Sequence, residues 1–312
     1  MILSVSRRTD IPNYYADWFY NRMKEGFLYV RNPMNFHQVS RIELSPDLVD
    51  CIVFWTKNPE PMMARLQELS DYMYYFQFTL TGYGRDIEPN VPHKKDKMIP
   101  VFQRLSETIG SSRVVWRYDP IFFNDVYTEE YHVQAFEQIA DALAGYTKRC
   151  VISFVDTYVK NKAAMRELKV REPVGEGQED SGSIQNLRAF AVKLNEIAHR
   201  NGMAIVTCAE KIDLSDCGIT HSSCIDKALV EEITGYAIDV GKDKNQRAEC
   251  GCVESIEVGT YHTCLNSCKY CYANDSWEKA ERNFKAYDAT SPLLCGRIED
   301  GDKITVRKVK RL

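Results

Sequence analysis

Apolar, β-rich runs alternate with segments of helical period along the first two thirds of the chain. The runs are "ILSVS" (2–6), "CIVFWT" (51–56), "YYFQFTLT" (74–81), "RVVWRY" (113–118), "CVISFV" (150–155) and "MAIVTC" (203–208). Between them apolar positions recur every three or four residues. Met98, Val101, Phe102, Leu105 and Ile109 follow the third run and stop at Gly110; Ile184, Leu187, Phe190, Ala191, Leu194 and Ile197 follow the fifth and stop at Gly202. A glycine just past the last apolar position is a common helix terminator, because it takes up the left-handed backbone there without a Cβ penalty. Repeated strand-then-helix units predict parallel strands covered by helices, either rolled toward a barrel or laid open and doubly wound.

The residues at the strand ends separate these two architectures. The runs end in "SRRTD", "WTKNP", "TGYGRD", "RYDP", "VDTY" and "CAEK", so charged residues collect at nearly every carboxyl end. Barrel enzymes draw their active-site residues from several strands at that mouth, whereas an open doubly wound sheet concentrates them at one switch point. The pattern favours an α/β fold built as a partial (β/α)6 TIM-like barrel over residues 1–238. Its candidate catalytic residues are Arg7, Arg8, Asp10, Lys57, Arg117, Asp119, Asp156 and Glu210, which suit a small, polar substrate. Each could equally serve in a rim salt bridge. Trp55 and Trp116 read as core, and His37, His93, His132 and His199 have no metal-like spacing. Two connections, 82–95 and 157–182, exceed the usual length and suit either lids over a site or surface insertions.

Beyond residue 238 the alternation breaks into "GKDKNQRAECGC", and residues 239–312 read as a cysteine-rich, cluster-binding segment with a basic tail, "KITVRKVKRL". The net charge of −4 argues against a general affinity for nucleic acid, which needs a surplus of Lys and Arg; the tail is the local exception. No secretory leader is read at the start, and no apolar run approaches the roughly 20 residues that cross a bilayer. A cytoplasmic protein with no membrane attachment is therefore expected. In that reducing setting the 11 cysteines point to metal or catalysis rather than to disulfides. Cys51 and Cys150 begin strands and read as small apolar fillers, as does the isolated Cys295. The remainder are clustered.

Cys264, Cys268 and Cys271 form C-x3-C-x2-C in "CLNSCKYCYAN". An iron–sulfur cubane takes one thiolate per iron, so three thiolates on one loop leave a fourth iron without a protein ligand. Zinc is the alternative, completed by His262 or by Cys250 and Cys252. A second group comprises Cys208, the pair Cys217 and Cys224 around His221, and Cys250 with Cys252. The favoured ligand set is Cys208, Cys224, Cys250 and Cys252, which would close a second [4Fe–4S] cluster or a zinc site, with reduced, unliganded thiols as the bland reading.

The C-x3-C-x2-C spacing with Tyr270 before the third cysteine resembles the cluster motif of the radical S-adenosylmethionine enzymes. The wider context, "QRAECGCVESIEVGTYHTCLNSCKYCYAN" with "SVSRRTDIP", resembles the uncharacterised family called domain of unknown function 1848. By that resemblance Cys264, Cys268 and Cys271 would ligate a [4Fe–4S] cluster whose fourth iron binds S-adenosylmethionine. Tyr270 would pack near the adenine, an electron donor such as a flavodoxin or ferredoxin would be needed, and a 5′-deoxyadenosyl radical would act on the substrate. In those enzymes the cysteine loop follows the first strand, whereas here it begins at residue 264. The segment is therefore expected to fold back over the mouth, where Arg7, Arg8, Lys57 or Arg117 could pair with the cofactor carboxylate. Two other readings stand beside this one: a zinc-stabilised barrel hydrolase or isomerase, and a nucleic-acid repair enzyme similar to the spore photoproduct lyases.

Overall fold

A computed structural model describes residues 1–156, 161–171, 182–309 and 311–312. In chain order, β1 (Ile2–Val5) leads to α1 (Ile11–Tyr14), α2 (Ala16–Glu25) and the antiparallel pair β2 (Phe27–Arg31) and β3 (Gln38–Glu43). Next, β4 (Cys51–Thr56) leads to α3 (Glu60–Met63), and β5 (Tyr74–Thr79) to α4 (Ile99–Ile109). The third pair is β6 (Val114–Ile121) with α5 (Glu129–Leu143), and β7 (Arg149–Phe154) precedes α6 (Lys162–Glu167) and α7 (Gly182–Arg200). Then come β8 (Ala204–Cys208), β9 (Thr220–Ser222), α8 (Lys227–Thr234), β10 (Ile256–Glu257), α9 (Trp277–Lys285) and β11 (Lys303–Val306).

All six expected strands form, and they join an eight-stranded sheet in the order β10-β1-β4-β5-β6-β7-β8-β9 with every neighbouring pair parallel. The order never reverses, which distinguishes it from a doubly wound sheet. It is also open: β10 and β9 are its two edges, so no closed barrel is made. The two edge strands are additions to the expected set, too short to show periodicity. β10 comes from the cysteine-rich segment and lies directly on β1, with Leu3 opposite Ile256. That approach needs Gly259, since a Cβ there would stand 1.7 Å from Ser6 Oγ.

Strand residues alternate between two faces. On one face Leu3, Val5, Ile52, Phe54, Phe76, Phe78, Trp116 and Ile152 pack against α2, α4, α5 and α7 through Phe19, Phe102, Phe136 and Leu194. On the other, Ile2, Cys51, Val53, Tyr75, Val115, Val151 and Val206 meet α8 through Leu229, Val230 and Ile233. Cys51 and Cys150 are buried among these side chains, and both strand tryptophans pack in or against them. Helix ends follow local rules. Thr128 caps α5 by accepting from the Tyr131 N–H, and Glu129 and Glu130 sit in its first turn.

A second, three-stranded sheet, β11-β3-β2, was not expected from the sequence. The basic tail contributes its outer strand: β11 lies parallel to β3, with Lys303 opposite Gln38. Leu312 N–H then donates to Asp50 at 3.1 Å. Lys310, and residues 157–160 and 172–181 of the long connection 157–182, lie outside the described residues. Among the described residues no helix is long and apolar enough to cross a membrane.

His132 is fully buried within α5. Its Nδ1 pairs with the Tyr118 hydroxyl at 2.9 Å and its Nε2 with the Phe122 carbonyl at 2.9 Å, a set that suits one neutral tautomer. Burial pulls its pKa down from 6.5 to about 4 although the Phe122 carbonyl opposes this. Between those values the unfolded chain binds a proton that the folded one does not, so stability falls as pH drops from about 6.5 toward 4. The loss from this residue is on the order of 3 kcal/mol. Urea unfolding of His132→Gln across that window is expected to show a shallower pH slope than wild type; an identical slope would remove His132 as its source.

Candidate functional site

The carboxyl ends of the strands open into a cavity of about 700 Å³. The inner face becomes polar toward the cavity: Tyr75 gives way to Gln77 and then to the cavity-lining Thr79, Val115 to Arg117 and Asp119, and Val151 to Ser153. Of the mouth residues expected from the sequence, Arg7, Arg8, Asp10, Lys57, Arg117, Asp119 and Asp156 line it. Glu210 is not among the lining residues. Its carboxylate accepts from the Phe154 N–H at 2.7 Å, and burial pushes its pKa up to about 7. All seven candidate ligand cysteines, Cys208, Cys224, Cys250, Cys252, Cys264, Cys268 and Cys271, line the same cavity.

The C-x3-C-x2-C loop is held by two buried carboxylates. Asp10 caps α1 through the Asn13 N–H and accepts from Thr56 Oγ1 at 2.6 Å and the Lys57 N–H at 2.8 Å. Its last acceptor position takes Asn266 Nδ2 at 3.0 Å, from inside the cysteine loop. Burial raises the Asp10 pKa, and these four donors work against the rise. Tyr14 adds a hydrogen bond to Asn266 Oδ1 at 2.9 Å, and Tyr15 one to the Thr263 carbonyl at 2.6 Å.

The second carboxylate is Glu88, from the long 82–95 connection. It accepts from Lys57 Nζ at 2.8 Å, Thr81 Oγ1 at 3.0 Å, Lys94 Nζ and the Tyr270 hydroxyl. Burial opposes its ionisation, yet Lys57 and Lys94 hold its pKa down to about 2. The same connection meets the cysteine loop through its backbone, with Lys269 N–H donating to the Ile87 carbonyl at 3.0 Å and Asn90 Nδ2 to the Leu265 carbonyl at 2.8 Å. This connection is thus a platform under the loop rather than a lid over it.

Tyr270 lines the cavity from a buried aromatic cluster with Tyr83 and Phe122, its hydroxyl engaged by Glu88. Tyr272, two residues on, keeps 40% of its surface exposed at the cavity. Burial raises the thiol pKa values of Cys264, Cys268 and Cys271, that of Cys268 to about 12. Of the four non-glycine residues with positive φ among those described, His262 and Ser267 lie within two residues of Cys264 and Cys268, and Ala209 follows Cys208 of the second group. Such backbone strain concentrates at functional sites.

The second group forms a chain of thiols. Cys208 Sγ lies 2.9 Å from Cys224 Sγ, and Cys252 bonds in turn to Cys224 and Cys250. A hydrogen bond from Cys252 draws Cys250 down to about 7 against burial. Cys217 instead turns toward Asp216 and the Arg188 carbonyl. Arg117 is committed here: Nε reaches Asp119 at 3.0 Å, Nη1 reaches Gln77 at 3.2 Å and Cys224 Sγ at 3.1 Å, and Nη2 completes a fork on Asp119. Among the described residues no three His, Cys, Asp or Glu side chains stand in a geometry that could hold a metal ion.

The family described as "Domain of unknown function (DUF1848)" matches residues 2–273. The chain belongs to this family. No curated protein and no solved structure matches it. The match ends just after the third cysteine of the loop, so the eight-stranded sheet and both cysteine groups of this DUF1848 protein lie within it.

Sequence reasoning singled out the cysteines and the charged rim but missed what holds them. Glu88 lay inside a connection noticed only for its length, and Asn266 lay inside the motif itself. Removing the Glu88 charge would leave the half-buried Lys57 ammonium without its carboxylate and Lys94 with only the Tyr83 carbonyl, a loss of up to about 3–5 kcal/mol. Glu88→Gln is expected to lower the urea unfolding free energy of the full chain by about 3 kcal/mol, with partial recovery in Glu88→Gln/Lys57→Met. Unchanged stability would show that the cluster does not hold the loop.

Proposed function

We propose that this DUF1848 protein is a radical S-adenosylmethionine-like iron–sulfur enzyme acting on a small polar substrate. The observation that carries the reading is that the C-x3-C-x2-C cysteines open onto the same cavity as the carboxyl ends of β1, β4, β6 and β7. Their donor set is three sulfurs from one short loop, which suits a cluster taking one thiolate per iron and need not converge on a single ion. A [4Fe–4S] cluster with S-adenosylmethionine at its fourth iron supplies, when bound, the 5′-deoxyadenosyl radical that removes a hydrogen atom from substrate.

The chain's own residues have separate tasks. Cys264, Cys268 and Cys271 would hold the cluster, while Glu88, Lys57, Asp10 and Asn266 keep their loop in one position over the cavity. Tyr270 and Tyr272 offer ring faces on either side of Cys271 for the cofactor's adenine. The reaction takes one electron from outside the chain, so a flavodoxin or ferredoxin is the natural partner. A reducing cytoplasmic setting would keep the thiols available for metal.

Cys208, Cys224, Cys250 and Cys252 would hold a second [4Fe–4S] cluster with one thiolate per iron, Arg117 donating to Cys224 beside them. If only zinc binds, the cavity carboxylates suit a hydrolase or isomerase. A nucleic-acid substrate is disfavoured by the net charge of −4 and by the tail's engagement with β3 and Asp50.

Purified without oxygen, the chain is expected to be brown and to contain iron and acid-labile sulfide. With dithionite and S-adenosylmethionine it should form 5′-deoxyadenosine, and Cys271→Ser should lose that product while keeping the far-UV circular dichroism of wild type. A colourless protein holding zinc alone would replace this reading with the hydrolase or isomerase.

A further inference from the structure

We propose that the substrate of this cavity carries an anionic oxygen group, a carboxylate or a phosphate, and that Arg7 binds it. The inference deepens the reading above and rests on it for calling the ligand a substrate; the anion site itself does not.

Arg7 follows β1, and its backbone is held on both sides. Its N–H donates to Glu257 at 3.2 Å and its carbonyl accepts from the Tyr272 hydroxyl at 3.0 Å. The guanidinium lies 5.0 Å over the Trp55 ring, which supports its face and leaves its edge for hydrogen bonding. Nη2 is shut off from solvent and has no hydrogen-bond partner. Thr9 Oγ1, two residues on and lining the same cavity, is likewise buried and unpartnered. Folded proteins rarely leave such donors unmet, because each bears its full desolvation cost.

The other cavity cations are spoken for. Arg117 is forked onto Asp119, Lys57 is paired with Glu88, and Arg247 is paired with Asp156. Arg8 stacks on Tyr261 and reaches the Gly259 carbonyl at 3.4 Å. A planar carboxylate or a phosphate offers oxygens to both a guanidinium edge and a hydroxyl, so one anionic group can satisfy Arg7 and Thr9 together.

Position assigns the anion to substrate rather than to cofactor. The charge interactions of Arg7 are with Cys252 and Cys224, of the four-cysteine group, and with Glu257. Lys57 instead faces Cys268, of the loop with the open corner. An anion on Arg7 therefore lies beside the four-cysteine group, with Tyr272 linking the Arg7 backbone to the loop.

The test uses calorimetric titration of the full, metal-loaded chain with inorganic phosphate and, separately, with S-adenosylhomocysteine. Wild type should bind phosphate, Arg7→Gln should weaken it about tenfold or more, and Arg7→Lys should recover part of the loss. Iron content and S-adenosylhomocysteine affinity should stay at wild-type values in both variants. Absent phosphate binding in wild type, or undiminished binding in Arg7→Gln, would overturn the proposal. So would a variant that loses metal or S-adenosylhomocysteine affinity, which would assign Arg7 to the thiolates or to the cofactor. Failure of the radical reading shows separately, as wild type without iron or without 5′-deoxyadenosine, while phosphate binding remains measurable.

Discussion

The Glu88 carboxylate has no exposed surface, yet it holds two ammonium groups and a phenol around it. Ions taken out of water are tolerated only when paired and hydrogen-bonded, and each partner here would be costly alone. The four groups therefore hold together or fail together. Lys57 comes from the end of β4, Glu88 and Lys94 from the connection after β5, and Tyr270 from the cysteine loop. Their mutual dependence fixes that loop against the mouth of a sheet most of whose strands precede it by many residues in the chain. Asp10 and Asn266 repeat the arrangement on the β1 side with neutral donors.

The cavity results from how the sheet is wound. Because the strand order never reverses, the helices after β1 and β4 through β7 stack on one face and leave the other for α8 and the cysteine-bearing segment. Near the amino ends that inner face is apolar and closes on α8. Toward the carboxyl ends it turns polar, and charged side chains cannot pack shut without losing water. An open space bounded by paired charges and thiols is the result. The two cysteine groups reach it from different directions, one after β8 and β9, the other after β10.

The strands were legible because each is a short run rich in apolar and β-branched or aromatic residues between turns, and α4 and α7 because their apolar positions repeat at helical spacing. The cysteines were legible because close spacing of a reactive residue has few structural explanations. β9 and β10 have only three and two residues, too few for any period to register. The strand β11 was hidden for another reason: its four residues alternate polar and apolar within a run of basic residues, yet all are exposed, so the alternation marks no buried face. Arg117 and Asp119 were each visible as mouth residues, but not the fork that joins them, since a salt bridge depends on side-chain direction and not on separation along the chain.

Local pattern was enough to establish parallel α/β construction, the enrichment of charge at the strand ends and the grouping of thiols, since each of these is a property of neighbours in the chain. The open edge, the docking of β10 on β1, the use of the 82–95 connection as a platform and the unpartnered Nη2 of Arg7 were settled in three dimensions. Each depends on contacts between residues tens to hundreds of positions apart, and burial, which decides whether a charge is paired or waiting, is a property of the assembled surface alone.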